Sequence, residues 1–300
     1  MNRKEERSTS AAIFEKVLKN VIIPKGSTIT EVMLEYKKFK GKQKKYSLPI
    51  FFKMQDTIET VSVEDMQLFY INVESQSNEL IIYLHGGAYV NEILPFHWIM
   101  LDKLAKQLDC TFIIPDYPLA PIHSFEESYE KLTVLYQKVL KYYSNKKIIL
   151  MGDSAGGGLA LGLSLYWANL ALPQPDKLIL LSPWLDLTMN NPEIDKFIDV
   201  DPSLKKDELI VDANYWANGT DLKDYRLSPI YGDFSALKEV VLFVGTHELF
   251  YPDVTLLYEK LKEKNIKVEL NIGQGLNHVY PAFPIPEADE ALRHIVEIIK

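Results

Sequence analysis

The stretch 149-ILMGDSAGGGLALGLSL-165 passes from an apolar run, through glycines set around one serine, into a second run of small apolar residues. Glycine carries an entropic cost inside regular structure, so Gly152, Gly156, Gly157 and Gly158 around Ser154 need a reason. Three readings compete. A phosphate-cradling Walker loop needs a lysine behind its glycines, and none follows here. A dinucleotide fingerprint G-x-G-x-x-G could begin at Gly156 and Gly158, but its third position holds Leu161. The second reading is a tight strand-to-helix turn with an incidental serine. The third is a nucleophile elbow, G-x-S-x-G, written here as Gly152-Asp153-Ser154-Ala155-Gly156. Such a turn lifts the serine hydroxyl above a sheet at a helix N-terminus and leaves no room for bulk beside it. The pattern alone does not separate the last two readings; a base, an acid and an oxyanion site must be found elsewhere.

Outward from this stretch the chain alternates apolar strands with helical segments. Strands are expected at 80-LIIYLHGG-87, 110-CTFIIPDY-117, 147-KIILMGDS-154, 177-KLILLSPW-184, 240-VVLFVG-245 and 267-KVELNIG-273. Helices are expected near 96–108, 124–143, 155–170, 253–264 and 286–299. Continuous apolar strands between helices imply an α/β fold whose parallel sheet is covered on both faces. Before this pattern, 57-TIETVSVEDMQLFYINV-73 reads as an antiparallel hairpin turning at Glu64-Asp65. Short helices are expected over 8–20, capped by Ser8, Thr9 or Ser10, and over about 28–40. Residues 1–50 and 186–228 fall outside the alternation and are the candidates for a cap over the site, with residues 51–300 forming the core.

The chain has 300 residues, 47% hydrophobic and 25% charged, which suits an ordinary soluble globular protein. Its net charge of −8 argues against nucleic acid as a partner, despite the local basic run 37-KKFKGKQKK-45, which reads as a solvated loop. The one cysteine, Cys110, excludes an internal disulfide and is expected in a buried strand. The N-terminal pattern is amphipathic, interrupted by Glu15, Lys16 and Lys19, and no apolar run has the roughly 18 residues of a membrane span. A cytoplasmic location is the expectation. The sequence is compatible with a homodimer and does not fix the oligomeric state.

Parallel sheets gather chemistry at the carboxyl ends of their strands. Those ends carry His85-Gly86-Gly87, Ser154, Thr246-His247-Glu248 and Asn277-His278. Among the six histidines, His85 reads as turn-stabilising, His97 and His294 as packing in helices, and His123 as part of a proline-bounded loop. His247 adjoins a candidate acid and points away from it. His278, after the last strand, is the candidate base for Ser154. The chain order serine, acid, histidine places the acid after the penultimate strand, where Glu248 is favoured and Asp253 is its rival, read as a helix cap. The run 247-HELFY-251 starts like a zinc motif but has tyrosine where the second histidine belongs, so no metal site is expected. Backbone amides of Gly86, Gly87 and Ala155 are the candidate oxyanion donors.

The segments 85-HGGAY-89, 116-DYPLAPIHSFEES-128, 152-GDSAGG-157, 182-SPWLDLT-188 and 277-NHVYP-281 together resemble the hormone-sensitive-lipase branch of the α/β-hydrolases, mostly carboxylesterases. The resemblance runs from about residue 79 to the C-terminus. It implies a mainly parallel core of about eight strands, a small helical cap, and hydrolysis of short-chain acyl esters, a small-molecule substrate class, without a cofactor. It assigns Ser154 as nucleophile, His278 as base, and Gly86, Gly87 and Ala155 as the oxyanion hole. Ala88 departs from a third glycine common in the family, and Glu248 replaces a more usual aspartate. Related acyl hydrolases acting on acetylated sugars, lactones or peptides, and a non-catalytic ligand-binding protein on the same scaffold, are the alternatives.

Overall fold

The computed structural model describes residues 7–19, 46–48 and 58–300. The helix expected over 28–40, the basic run at 37–45 and most of the N-terminal cap segment lie outside them.

Among the described residues eight strands form one sheet in the order β1-β2-β4-β3-β5-β6-β7-β8. They are β1 (Ile58–Val63), β2 (Met66–Ile71), β3 (Glu79–Leu84), β4 (Thr111–Asp116), β5 (Lys147–Asp153), β6 (Lys177–Leu181), β7 (Glu239–His247) and β8 (Lys267–Asn277). β2 runs antiparallel to β1 and β4; every other neighbouring pair is parallel. The hairpin turns at Glu64-Asp65, both with positive φ (50° and 62°), the two-residue geometry that matches strand twist.

The helices are α1 (Thr9–Val17), α2 (Pro95–Ala105), α3 (Phe125–Tyr142), α4 (Ser154–Asn169), α5 (Lys206–Ala217), α6 (Tyr251–Glu263) and α7 (Pro286–Ile299). Ser8 caps α1, its hydroxyl accepting from the Ala11 amide at 3.1 Å. The strand period of two splits the core. Leu80, Ile82, Leu84, Leu150 and Leu180 pack with α3, α4 and α6 on one face. Ile81, Tyr83, Met151, Ile179 and Phe243 pack with α2 and α7 on the other. Along β3 to β7 both faces are buried, which is why those strands read as unbroken apolar runs rather than alternating ones. Cys110 is buried, and that burial pushes its thiol up to about 12.

The segment 186–228 is fastened to the core. Its helix α5 sinks Leu209, Ala213 and Trp216, spaced at helical period, into the same apolar cluster as α4. Asn191 donates to Asp253 at 2.7 Å, and Asp201 accepts from the Leu249 amide at 2.8 Å. Both bonds reach the start of α6 or the turn just before it. Among the described residues no helix is long and apolar enough to cross a membrane.

Candidate active site

The glycines around Ser154 are explained by close backbone approach. A Cβ on Gly156 would lie 2.1 Å from the Leu84 carbonyl oxygen, and one on Gly152 would lie 2.5 Å from the Gly156 carbonyl oxygen. Neither contact can be relieved, because both partners are main chain. Further along α4, Gly158 passes the Trp184 carbonyl just as closely. Ser154 itself sits at φ 51°, a strained value for a side chain with a Cβ. The turn from β5 into α4 therefore raises the serine hydroxyl at the helix N-terminus, above the carboxyl end of the sheet.

Two other strand ends meet it there. His278 follows β8, and its Nε2 lies 2.9 Å from Ser154 Oγ. Its Nδ1 lies 2.5 Å from Glu248 Oε2, and Glu248, just beyond β7, is fully buried. The other carboxylate oxygen, Oε1, accepts from the Gly245 amide (2.6 Å) and the Ser182 hydroxyl (2.8 Å). Burial would lower the His278 pKa, but the facing Glu248 carboxylate, with Asp201 and Asp153 further off, raises it above its ordinary value. The Phe250 ring stands edge-on to the imidazole at 5.1 Å and screens it from water.

The rival acid is elsewhere. Asp253 lies in the first turn of α6, one oxygen bonded to Asn191 and the other buried without a partner among the described residues. It makes no bond to His278, and burial pushes its carboxyl up to about 6.

One expectation about the oxyanion donors needs correction. The Gly86 amide donates to Asp153 Oδ1 at 2.8 Å and is not free to meet a substrate oxygen. The next two amides, of Gly87 and Ala88, find no acceptor among the described residues; the two residues adopt φ 122° and 54°. The Ala155 amide lies in the first turn of α4, where no intrahelical acceptor exists. The available donors are thus Gly87, Ala88 and Ala155. Since only the backbone N–H of residue 88 is needed, alanine can stand where the resembled family has a third glycine.

A family model described as the alpha/beta hydrolase fold matches residues 81–282. The chain is an α/β-hydrolase. It is 32% identical over 232 residues to an esterase of Acinetobacter venetianus, covering 76% of each chain. A solved structure of EstE5 matches with a TM-score of 0.85 at 27% identity, covering 97% of this chain and 98% of that one. An esterase from the bacterial hormone-sensitive lipase family matches with a TM-score of 0.84 at 25% identity, covering 100% and 98%. This α/β-hydrolase is of the esterase and lipase type and belongs with the hormone-sensitive-lipase-like group.

Several residues around the site of this α/β-hydrolase escaped the sequence reading. Ser182, at the carboxyl end of β6, donates to Glu248 and accepts from the Val279 amide at 3.0 Å, joining the acid and base loops. Its place after an apolar strand was a usable signal. Asp153, inside the elbow motif, and His97, assigned only to packing, are bonded to each other at 3.1 Å in full burial. His85 bonds the Gly86 carbonyl at 2.7 Å and stacks on Tyr117, the turn-stabilising role expected of it. His294 lies partly exposed on α7 beside Glu269, and His123 pairs with Glu127 on α3.

Proposed function

We propose that this α/β-hydrolase is a serine carboxylesterase that hydrolyses short-chain acyl esters through an acyl-enzyme. The observation that carries the reading is the unbroken line of hydrogen bonds from Ser154 Oγ through His278 to Glu248, 2.9 Å and 2.5 Å long. In this reading His278 Nε2 takes the hydroxyl proton as Ser154 attacks the ester carbonyl. The tetrahedral oxygen takes its negative charge in front of the Gly87, Ala88 and Ala155 amides, each such donor contributing about 3 kcal/mol to the transition state. Glu248 holds the imidazole by Nδ1 and stabilises the imidazolium. His278 then protonates the departing alkoxide, and the acyl group remains on Ser154. A water, deprotonated by the same Nε2, attacks the acyl carbon; collapse returns the proton to Ser154 Oγ and releases the acid.

Short acyl groups are favoured by an aromatic column beside the site. Phe250 packs on His278, Trp184 on Phe250 (5.8 Å), Tyr89 on Trp184 (5.8 Å) and Trp216 on Tyr89 (4.5 Å, 3° between planes). None of these four aromatic residues is more than 2% exposed, so the space is filled by protein. The segment 186–228 is read as part of the cap, since α5 supplies Trp216 to this column. Among relatives, EstE5 was soaked with p-nitrophenyl butyrate, and a protein of Streptomyces hygroscopicus is named an acetyl-hydrolase. That name favours acetyl esters as a second, narrower reading.

The test is a panel of p-nitrophenyl esters from acetate to laurate, run on wild type and Ser154→Ala. Turnover that falls with chain length, and is absent from a Ser154→Ala protein with an unchanged melting curve, is the expected result. Equal turnover in the two proteins would overturn the assignment. A preference for acetate alone would select the narrower reading.

A further inference from the structure

Asp153 and His97 take no part in the path from Ser154 to Glu248, yet both are buried against the loop that follows β3. Asp153 Oδ1 accepts from the Gly86 amide (2.8 Å) and from the Tyr83 hydroxyl; Oδ2 faces His97 Nε2 at 3.1 Å. His97 Nδ1 accepts from the Leu94 amide at 2.9 Å. An N–H can donate only to an unprotonated nitrogen, so the proton of this imidazole is on Nε2 and points at Asp153. Burial pushes the Asp153 carboxyl up, but the bonds from His97, Tyr83 and Gly86 outweigh it and hold the group below the usual carboxylate range.

The two pinned amides bracket the loop. Gly86 is its entry and Leu94 its exit, and between them lie Gly87 and Ala88, both at positive φ. Backbone held in such conformations persists only where its surroundings over-determine it. The approach is close enough that a Cβ on Gly86 would fall 2.2 Å from Asp153 Oδ2. We propose that the Asp153–His97 pair is a positioning device that fixes the oxyanion loop at both ends and aims the Gly87 and Ala88 amides. The proposal rests on the esterase reading. It gives the aspartate of the elbow a role separate from that of the serine beside it, and it gives His97 a role beyond packing.

The experiment compares wild type, His97→Leu and His97→Gln. Steady-state kinetics use p-nitrophenyl acetate, and affinity is measured for a trifluoromethyl ketone, which forms a tetrahedral oxyanion on the serine. His97→Leu removes both bonds but keeps apolar bulk. It is expected to lower kcat by about 10²-fold with KM nearly unchanged, because a small misplacement of the donors acts on the transition state. Affinity for the ketone should fall in parallel. His97→Gln, whose amide can donate to Asp153, should recover about tenfold of the loss. Unchanged kcat and ketone affinity in His97→Leu would overturn the proposal. Nitrogen NMR of wild type at pH 7 supplies a test that needs no variant: the His97 ring must be the Nε2–H tautomer, and an Nδ1–H ring would overturn the bridge to Leu94. Absence of ester turnover in wild type counts against the esterase reading instead, and the tautomer still decides whether the clamp exists.

Discussion

Glu248 and Asp253 stand five residues apart after one strand, and their surroundings give them opposite chemistry. Glu248 faces His278, and its charge raises the imidazole pKa. A base must be neutral to act, so activity falls on the acid side of that pKa. Glu248→Gln should therefore move the acid limb of the kcat/KM profile to lower pH. It should also lower the plateau by about 10⁴, since an amide no longer imposes the right tautomer. A pH-rate titration checks both, and a limb that stays in place would contradict the pairing. Asp253 has its carboxyl pushed up to about 6 by burial. A folded-state pKa above the unfolded value means the native state binds more protons between the two values. Its contribution is therefore present at low pH and lost as pH rises through about 6. Asp253→Asn removes the buried charge while keeping a partner for Asn191. It should raise stability at pH 8 by roughly 3 kcal/mol, change it far less at pH 4, and spare turnover. Urea unfolding at the two pH values measures the difference; equal effects at both would contradict the buried-charge account.

At the scale of elements, α1 is tied to the carboxyl ends of β7 and β8, which lead into the loops of Glu248 and His278. Arg7 donates to the Gly275 carbonyl at 2.6 Å and pairs with Glu15, and Glu15 meets His247 Nδ1 at 3.0 Å. Burial would raise the Glu15 carboxyl, but Arg7 and His247 hold it below its ordinary value, so it carries charge at neutral pH. Ser8 bonds Glu287 at the start of α7 through both its amide and its hydroxyl, and Phe14 packs on Phe283 at 4.8 Å. Deleting residues 1–20 is therefore expected to lower kcat for a short ester by about tenfold. KM for longer esters should rise at the same time. Unchanged kinetics across acyl lengths would show that α1 neither positions these loops nor belongs to the cap. The same element shows what the sequence could and could not display. The existence of α1 and a cap among Ser8, Thr9 and Ser10 were legible, because capping and helical period are local; the structure selects Ser8. Its docking onto Gly275 and His247 was not, because those partners lie more than two hundred residues away. The Gly86 amide was misassigned for the same reason: a glycine pair announces close backbone approach but does not say which N–H is already taken. Ser154, His278 and Glu248 could be picked out because each follows a readable strand at one edge of a parallel sheet. Ser182 bonds Glu248 and Val279, and His97 bonds Asp153, over sequence separations that no periodicity records.

At the scale of the whole molecule, the parallel run of β3, β5, β6, β7 and β8 brings five loops to one end of the sheet. They hold the Gly87–Ala88 loop, Ser154, Ser182, Glu248 and His278 in that spatial order. The two apolar cores beneath them support those ends, and the segment 186–228 adds Trp216 to the aromatic column beside them. In the proposed reaction this assembly makes one hydroxyl, that of Ser154, a nucleophile. The most direct measurement is treatment of the wild-type protein with an organophosphonate ester, followed by intact mass and peptide mapping. A single adduct is expected, on Ser154, formed with parallel loss of ester turnover and slowed by Glu248→Gln. An adduct on another residue, or loss of turnover with Ser154 unmodified, would contradict it.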